Sequence, residues 1–172
     1  AKADALRILR DDLARKVRPA FIATGAMSDP YNPFEASLQL TRHALELIDA
    51  YQCGAAIATK SDLIVRDGDI LYSIARHSPV ICKLTITTTD DALAARLEPG
   101  APSPSRRLAA LRELADRGLF AGVLLMPVLP FLEDTEENVL EVVERAAEAG
   151  ASFVYPALGV TMREGQREYF LQ

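Results

Sequence analysis

Residues 80–87 read VICKLTIT, and this stretch decides between the two folds that the rest of the sequence allows. Lys83, Thr85 and Thr87 alternate with apolar residues, which is the period-2 pattern of a strand with two different faces. A strand that packs under helices on one face and lines a ligand cavity on the other needs this pattern. The stretch therefore predicts one wall of a βα barrel with a polar interior.

Similar strands recur along the chain, and each is followed by an amphipathic stretch. Short runs of apolar and β-branched residues, typical of buried parallel strands, occupy 21–27, 55–59, 80–87, 122–129 and 153–159. Between them apolar residues recur at helical spacing, and an opening helix is predicted over 3–15. Strand–helix alternation predicts an α/β fold of parallel strands with right-handed crossovers and outer helices.

The alternative, an open doubly wound sheet, is disfavoured by the first strand exit. That exit reads TGAMSDP at 24–30, whereas a dinucleotide-binding sheet carries G-x-G-x-x-G there. The sequence therefore predicts a partial βα barrel.

Turn and cap signals mark the helix ends. Asn32 is predicted to cap a helix that has Glu35 at its third position. Residues 98–107 are predicted to form one long loop. Arg106 and Arg107 open the next helix and are predicted to lie on an exposed face.

The composition indicates one globular domain. The 172 residues are 49% hydrophobic and 25% charged, enough to build a core. A net charge of −5 excludes a broad electrostatic footprint for nucleic acid, and no apolar run reaches the roughly 18 residues that span a bilayer. Residues 1–18 do not form a signal peptide, so we expect a cytoplasmic protein with no membrane partner. Cys53 and Cys82 are too far apart for a C-x-x-C metal pair and are predicted to be partly buried thiols.

In a βα barrel the active site lies at the carboxyl ends of the strands. Those ends are rich in hydroxyls, carboxylates and prolines and carry one lysine, Lys60, which suits a polar, zwitterionic small molecule. Lys60 either binds a substrate carboxylate, forms a Schiff base, or pairs with Asp62 or Asp29. The residues alone predict a barrel enzyme without naming its reaction.

The segment GAMSDPYNPFE at 25–35 resembles the signature G-x-M-S-D-P-Y-x-P-x-E of the spore-photoproduct-lyase-like branch of radical S-adenosylmethionine (SAM) proteins, also called DNA repair photolyases. Further matches to this family follow in the same order and cover nearly the whole chain. They are TKSDL at 59–63, RD at 66–67, KLTITT at 83–88, LEP at 97–99, MPVLP at 126–130, DTEEN at 134–138 and REGQREY at 163–169. So many matches in one order make the resemblance specific.

The resemblance implies a lyase-like radical SAM enzyme with a barrel of the radical SAM type. In this family a [4Fe–4S] cluster donates an electron to SAM, and the resulting 5′-deoxyadenosyl radical takes hydrogen from the substrate. The electron donor would be a protein such as flavodoxin or ferredoxin. DNA enters as a substrate only through the family's name, so the substrate stays unknown.

The family holds its cluster with a C-x3-C-x2-C triplet, and thiolates suit such iron sites. This chain has no such triplet. We therefore expect 1–172 to be a single, N-terminally truncated barrel domain that is inactive alone, with the cluster motif upstream. No metal ligand and no catalytic residue is assigned to the chain itself.

Residue by residue, the resemblance assigns four cofactor contacts. Ser28 matches a serine near the SAM methionyl group, and Lys60 matches a lysine near the SAM carboxylate. Thr85 falls where a relative has a serine at the ribose, and Met126 falls where the strand backbone meets adenine. The chemistry is consistent with this, because a carboxylate favours a cation and ribose hydroxyls need donors and acceptors.

Two other functions stay open at this point. One is an ordinary βα-barrel lyase that uses Lys60 as a Schiff-base amine. The other is a non-catalytic module that binds SAM or nucleic acid. A cluster motif in the longer reading frame would favour the radical SAM enzyme over both.

Overall fold

The structure is a computed structural model that describes residues 4–15, 20–158 and Glu168. In this part of the chain, five parallel strands form one sheet, and their order in the sheet is their order in the sequence. The strands are β1 (Phe21–Thr24), β2 (Gly54–Thr59), β3 (Val80–Thr85), β4 (Ala121–Val128) and β5 (Val154–Leu158). A doubly wound sheet reverses its order, whereas a βα barrel adds each strand beside the last. The prediction of a partial barrel is confirmed.

Helices connect the strands and cover one face of the sheet. They are α1 (Ala5–Arg15), α2 (Glu35–Leu38), α3 (Leu40–Ala50), α4 (Gly68–Ala75), α5 (Asp91–Leu97), α6 (Pro104–Asp116) and α7 (Glu136–Glu148), with a 3₁₀ helix at Asp62–Asp67. None of these helices is both long and apolar enough to cross a bilayer. The match at 163–169 lies outside the described residues, apart from Glu168.

The two faces of β3 differ as the alternation predicted. Cys82 and Leu84 are fully buried in the core, whereas Lys83 and Thr85 line a cavity on the concave face of the sheet. Thr87 departs from the prediction. Because β3 ends at Thr85, Thr87 lies outside the strand, and the strand alternation no longer determines which way its side chain points. Its hydroxyl instead donates to the buried carboxylate of Glu133 at 2.6 Å.

The predicted loop at 98–107 is wrong in its second half, because α6 begins at Pro104. The Ser103 hydroxyl accepts a hydrogen bond from the backbone N–H of Arg106, and proline suits the first helical turn because it has no N–H to satisfy. The loop therefore ends at Ser103.

The predicted cap at Asn32 is wrong, because α2 begins at Glu35 and its N-cap residue is Phe34, which makes no side-chain cap hydrogen bond. The Asn32 side-chain oxygen accepts from the N–H of Phe34 at 3.1 Å, in the turn that precedes the helix. Glu35, however, does not reach back to this turn. Its buried carboxylate accepts from the N–H of Thr41 at 3.0 Å, so it caps α3 and joins the two helices.

Candidate functional site

The concave face of the sheet and the carboxyl ends of its strands enclose a cavity of about 1090 Å³. Each strand contributes inward-facing side chains, and the loop after β1 closes one side. This is where a βα barrel places its ligands. The volume lies above the range of roughly 300–1,000 Å³ that is usual for one small-molecule site.

All four residues predicted to contact the cofactor line this cavity. They are Ser28, Lys60, Thr85 and Met126, and they come from four separate segments of the chain. Ser28 lies in the exposed loop after β1, and Lys60 follows the last residue of β2. Thr85 ends β3, and Met126 lies within β4. The fold brings them to one surface because parallel strands all end on the same side of the sheet.

Asp29 fixes the loop that carries Ser28. One of its carboxylate oxygens accepts from the Thr59 hydroxyl at 2.6 Å, and the other accepts from the backbone N–H of Lys60 at 2.8 Å. Gly25 lets the same loop pass close to β2, because its φ is +93° and a Cβ there would overlap the carbonyl of Ala58. The loop is thereby tied to the end of the neighbouring strand.

One buried polar atom at this cavity has no partner. The Thr24 hydroxyl, at the end of β1, is inaccessible to solvent and makes no hydrogen bond within the described residues. A buried hydroxyl that lacks a partner costs free energy.

Lys60 pairs with a different residue from the two that the sequence suggested. Its ammonium binds the carboxylate of Glu98, which lies in the loop after α5. Asp29 accepts from the backbone N–H of Lys60 but not from its ammonium, and Asp62 pairs with Arg106. Glu98 lies within the matched LEP segment at 97–99, which is the signal that could have identified it.

Glu98 is also held by Arg107, which donates to its second oxygen at 2.5 Å. Burial raises the pKa of Glu98, but hydrogen bonds from Lys60 and Arg107 outweigh burial and hold the pKa below its ordinary value. The carboxylate is therefore charged at neutral pH. Two cations, Lys60 and Arg107, thus share this carboxylate.

The prediction that Arg107 is exposed is wrong. Its side chain is 2% exposed, and it donates to the carbonyls of Thr85 at 2.9 Å and Pro102 at 2.8 Å. Arg106, by contrast, is exposed as predicted. A helix period does not show which of two adjacent arginines points inward, so only tertiary packing makes this choice.

A second ion network stands behind the β1 loop. Asp67 is fully buried and accepts from Tyr31 at 3.1 Å, from Arg66 at 2.8 Å and from Arg42 at 3.2 Å. Arg66 also binds the Glu35 carboxylate at 2.8 Å. The matched residues Tyr31, Glu35, Arg66 and Asp67 thus hold the loop and α2 against the 3₁₀ helix.

The outer end of this network is solvent-exposed. Asp69 binds Arg42 at 2.8 Å, and hydrogen bonds from Arg42 lower the pKa of Asp69 to about 2. The pair therefore stabilises the fold above the ordinary aspartate pKa of about 3.9, and this contribution is lost as the pH falls towards 2. Because the Asp69 side chain is 64% exposed, solvent screens the pair strongly.

The two cysteines do not form a metal site. Cys53 and Cys82 are fully buried, more completely than predicted, and burial raises the pKa of Cys82 to about 12. A protonated, buried thiol is a poor ligand. Within residues 4–15 and 20–158, no three His, Cys, Asp or Glu side chains gather to hold a metal ion.

The fold and the site together define a partial βα barrel whose ligand cavity opens at the carboxyl ends of its strands. No protein-family model matches the chain. An uncharacterized protein of Mycobacterium tuberculosis is 30% identical over 171 residues, which are 99% of this chain and 50% of that protein. An uncharacterized protein of Methanocaldococcus jannaschii is 35% identical over 115 residues, 67% of this chain and 43% of that protein. The chain thus spans about half the length of these curated relatives.

Solved structures show the same fold. A spore photoproduct lyase mutant with bound AdoMet and dinucleoside spore photoproduct matches with a TM-score of 0.68 and 19% identity, over 96% of this chain and 48% of that one. Streptococcus suis SuiB bound to S-adenosylmethionine matches with a TM-score of 0.65 and 17% identity, over 94% of this chain and 34% of that one. The chain therefore shares with these two proteins a partial α/β barrel of parallel strands with outer helices.

Proposed function

We propose that this chain is the SAM-binding part of a radical SAM enzyme, and that the full-length protein cleaves SAM reductively in a lyase-like reaction. One observation carries the proposal: the four residues that the sequence assigned to SAM, from four separate segments, line a single cavity. The solved structures that share this fold include a spore photoproduct lyase and SuiB, each with SAM bound. The substrate of this protein is a separate question.

The residues of the cavity fit SAM chemically. The Lys60 ammonium has three donors, so it can bind a ligand carboxylate while it keeps Glu98. Ser28 offers a hydroxyl at the same mouth, and the proposal assigns Thr85, which also lines the cavity, to a ribose hydroxyl. When bound, SAM supplies a sulfonium whose carbon–sulfur bond is the one such enzymes break.

A [4Fe–4S] cluster does not fit the residues of this chain, because its two cysteines are buried in the core and no third is present. We place the cluster ligands elsewhere in the full-length protein. An electron donor such as flavodoxin or ferredoxin belongs to the same proposal.

Protein of these 172 residues is expected to bind no stoichiometric iron. Two buried thiols cannot supply three thiolates to a cluster. Iron and acid-labile sulfide are measured after anaerobic reconstitution, together with the absorbance near the cluster bands. About four irons per chain would contradict the expectation, and the full-length protein is the positive control.

The SAM site is tested by Lys60→Met in the full-length protein. A charge-assisted hydrogen bond contributes roughly 1.5–3 kcal/mol, so SAM should bind about tenfold or more weakly. Lys60→Arg should recover only part of the affinity, because a guanidinium is larger and planar. Calorimetric titration of SAM measures both variants. If affinity is unchanged while the thermal midpoint falls, Lys60 only holds Glu98 and is not a SAM contact.

The Schiff-base lyase is the second candidate, and the geometry disfavours it. A Schiff base needs the lone pair of a neutral amine, whereas Lys60 is engaged as a donor to the Glu98 carboxylate. Borohydride treatment with carbonyl substrates would trap such an adduct on Lys60.

A further inference from the structure

Lys83 is a second lysine of the cavity, and it lies deeper than Lys60. It is in the middle of β3 and faces the cavity two residues before Thr85, so it is about 6.6 Å further from the mouth. Its side chain is half-buried, and within residues 4–15 and 20–158 its ammonium makes no ion pair or hydrogen bond. Every residue proposed to contact SAM lies nearer the mouth or on another strand.

The neighbours of Lys83 in the sheet leave space around its amine. Its register partners are Ala58 on β2 and Gly122 on β4, which carry little or no side chain into the cavity. Gly122 cannot be replaced without movement, because a Cβ there would lie 2.5 Å from the carbonyl oxygen of Phe153 and 2.6 Å from its ring. The Phe153 ring therefore lies over the glycine, on the side away from β3.

An aromatic wall completes this deeper part of the cavity. The rings of Phe120 and Phe153 stack with centroids 5.3 Å apart, and both residues line the cavity. Phe120 keeps half of its surface exposed. A planar, apolar group could pack on this exposed surface.

We propose that Lys83 and the Phe120–Phe153 pair form a second subsite, which binds the anionic group and the planar ring of an aromatic phosphate or carboxylate substrate. A half-buried ammonium without a partner is unfavourable, and an anion is the group that compensates it best. Lys83, Phe120 and Phe153 line the same cavity as the residues proposed to contact SAM, so the second ligand would lie beside SAM in one cavity. This inference rests on the proposed function only in naming SAM as the neighbouring ligand. Binding of the anionic group and the ring at the subsite does not require SAM.

The test titrates phenyl phosphate, benzoate and inorganic phosphate calorimetrically into the protein, with and without saturating SAM. Phenyl phosphate or benzoate should bind, and inorganic phosphate should bind at least several-fold more weakly, because it lacks the ring. The tighter of the two aromatic anions identifies phosphate or carboxylate as the substrate group. In Lys83→Met the aromatic anion should bind about tenfold more weakly, whereas Lys83→Arg, which keeps the charge on a larger, planar group, should recover part of the affinity.

Lys60→Met is the matched control, because it removes the other cavity lysine. It should weaken SAM and spare the aromatic anion, while Lys83→Met should do the reverse. Failure of SAM to bind would contradict the proposed function, but the titrations without SAM would still test the subsite. Equal affinity of wild type and Lys83→Met for the aromatic anion, or no binding of either anion, overturns the inference. Equal thermal midpoints show that the variants are folded.

Discussion

Arg107→Met is expected to lower the free energy of unfolding by about 3–5 kcal/mol, the cost of removing one partner from a buried ion pair. The side chain is 2% exposed and donates to Glu98 and to the carbonyls of Thr85 and Pro102. Its loss leaves the half-buried carboxylate with Lys60 alone and leaves the Thr85 carbonyl without this donor. Urea denaturation of the folded protein measures the change.

Two variants serve as controls for Arg107. Arg106→Met removes the adjacent arginine, which is 67% exposed and pairs with Asp62, so it should cost at most about 1 kcal/mol. The double variant Arg107→Met with Glu98→Gln should regain part of the loss, because the half-buried carboxylate charge is removed together with Arg107, and the Lys60 ammonium, 39% exposed, can turn to solvent. If Arg107→Met costs no more than Arg106→Met, the buried ion pair does not stabilise this end of the barrel.

Asp67→Asn is also expected to lower the free energy of unfolding by about 3–5 kcal/mol. Asp67 is fully buried and is the common acceptor for Tyr31, Arg66 and Arg42. Asparagine keeps the shape but removes the charge and one acceptor oxygen, so two guanidinium groups lose their shared carboxylate. The change should also loosen the loop after β1, which Tyr31 anchors.

Asp69→Asn is the matched control for Asp67. It removes another carboxylate from Arg42, but the side chain is 64% exposed, and exposed pairs contribute about 0.2–1 kcal/mol. Hydrogen exchange of residues 25–31 distinguishes a local effect from a global one. Protection in this loop should fall in Asp67→Asn and stay unchanged in Asp69→Asn. If protection falls by similar amounts in both variants, the burial of Asp67 does not add to the stability of this loop.

The two networks explain why the matched motifs matter for the site. The Asp67 network fixes the loop that carries Ser28, and Glu98 with Arg107 fixes the position of Lys60 and the end of β3. Neither network touches the centre of the cavity. The residues at the open end of the cavity are thus held in position by these two sets of ion pairs.

The local sequence pattern was sufficient to predict the strands and the class of fold. The alternation at 80–87 predicted that Lys83 and Thr85 face a cavity and that Cys82 and Leu84 face the core, and the structure agrees. Period 2 is a property of the extended chain, so it can be read from neighbouring residues without knowledge of the rest of the molecule. The same holds for the strand–helix alternation that gives five parallel strands in sequential order.

The partners of the charged residues were decided only by the tertiary structure. One interpretation of Lys60 paired it with Asp62, which is close in sequence, or with Asp29, at the neighbouring strand exit, but it pairs with Glu98. Arg107 was expected to be exposed, but it is buried. A long, charged side chain reaches whichever counter-charge the packing of loops and helices brings near, and that choice depends on contacts across 38 residues for Lys60 and Glu98. No local period encodes such contacts, so the barrel could be predicted from the sequence, whereas the ion pairs that support its mouth could not.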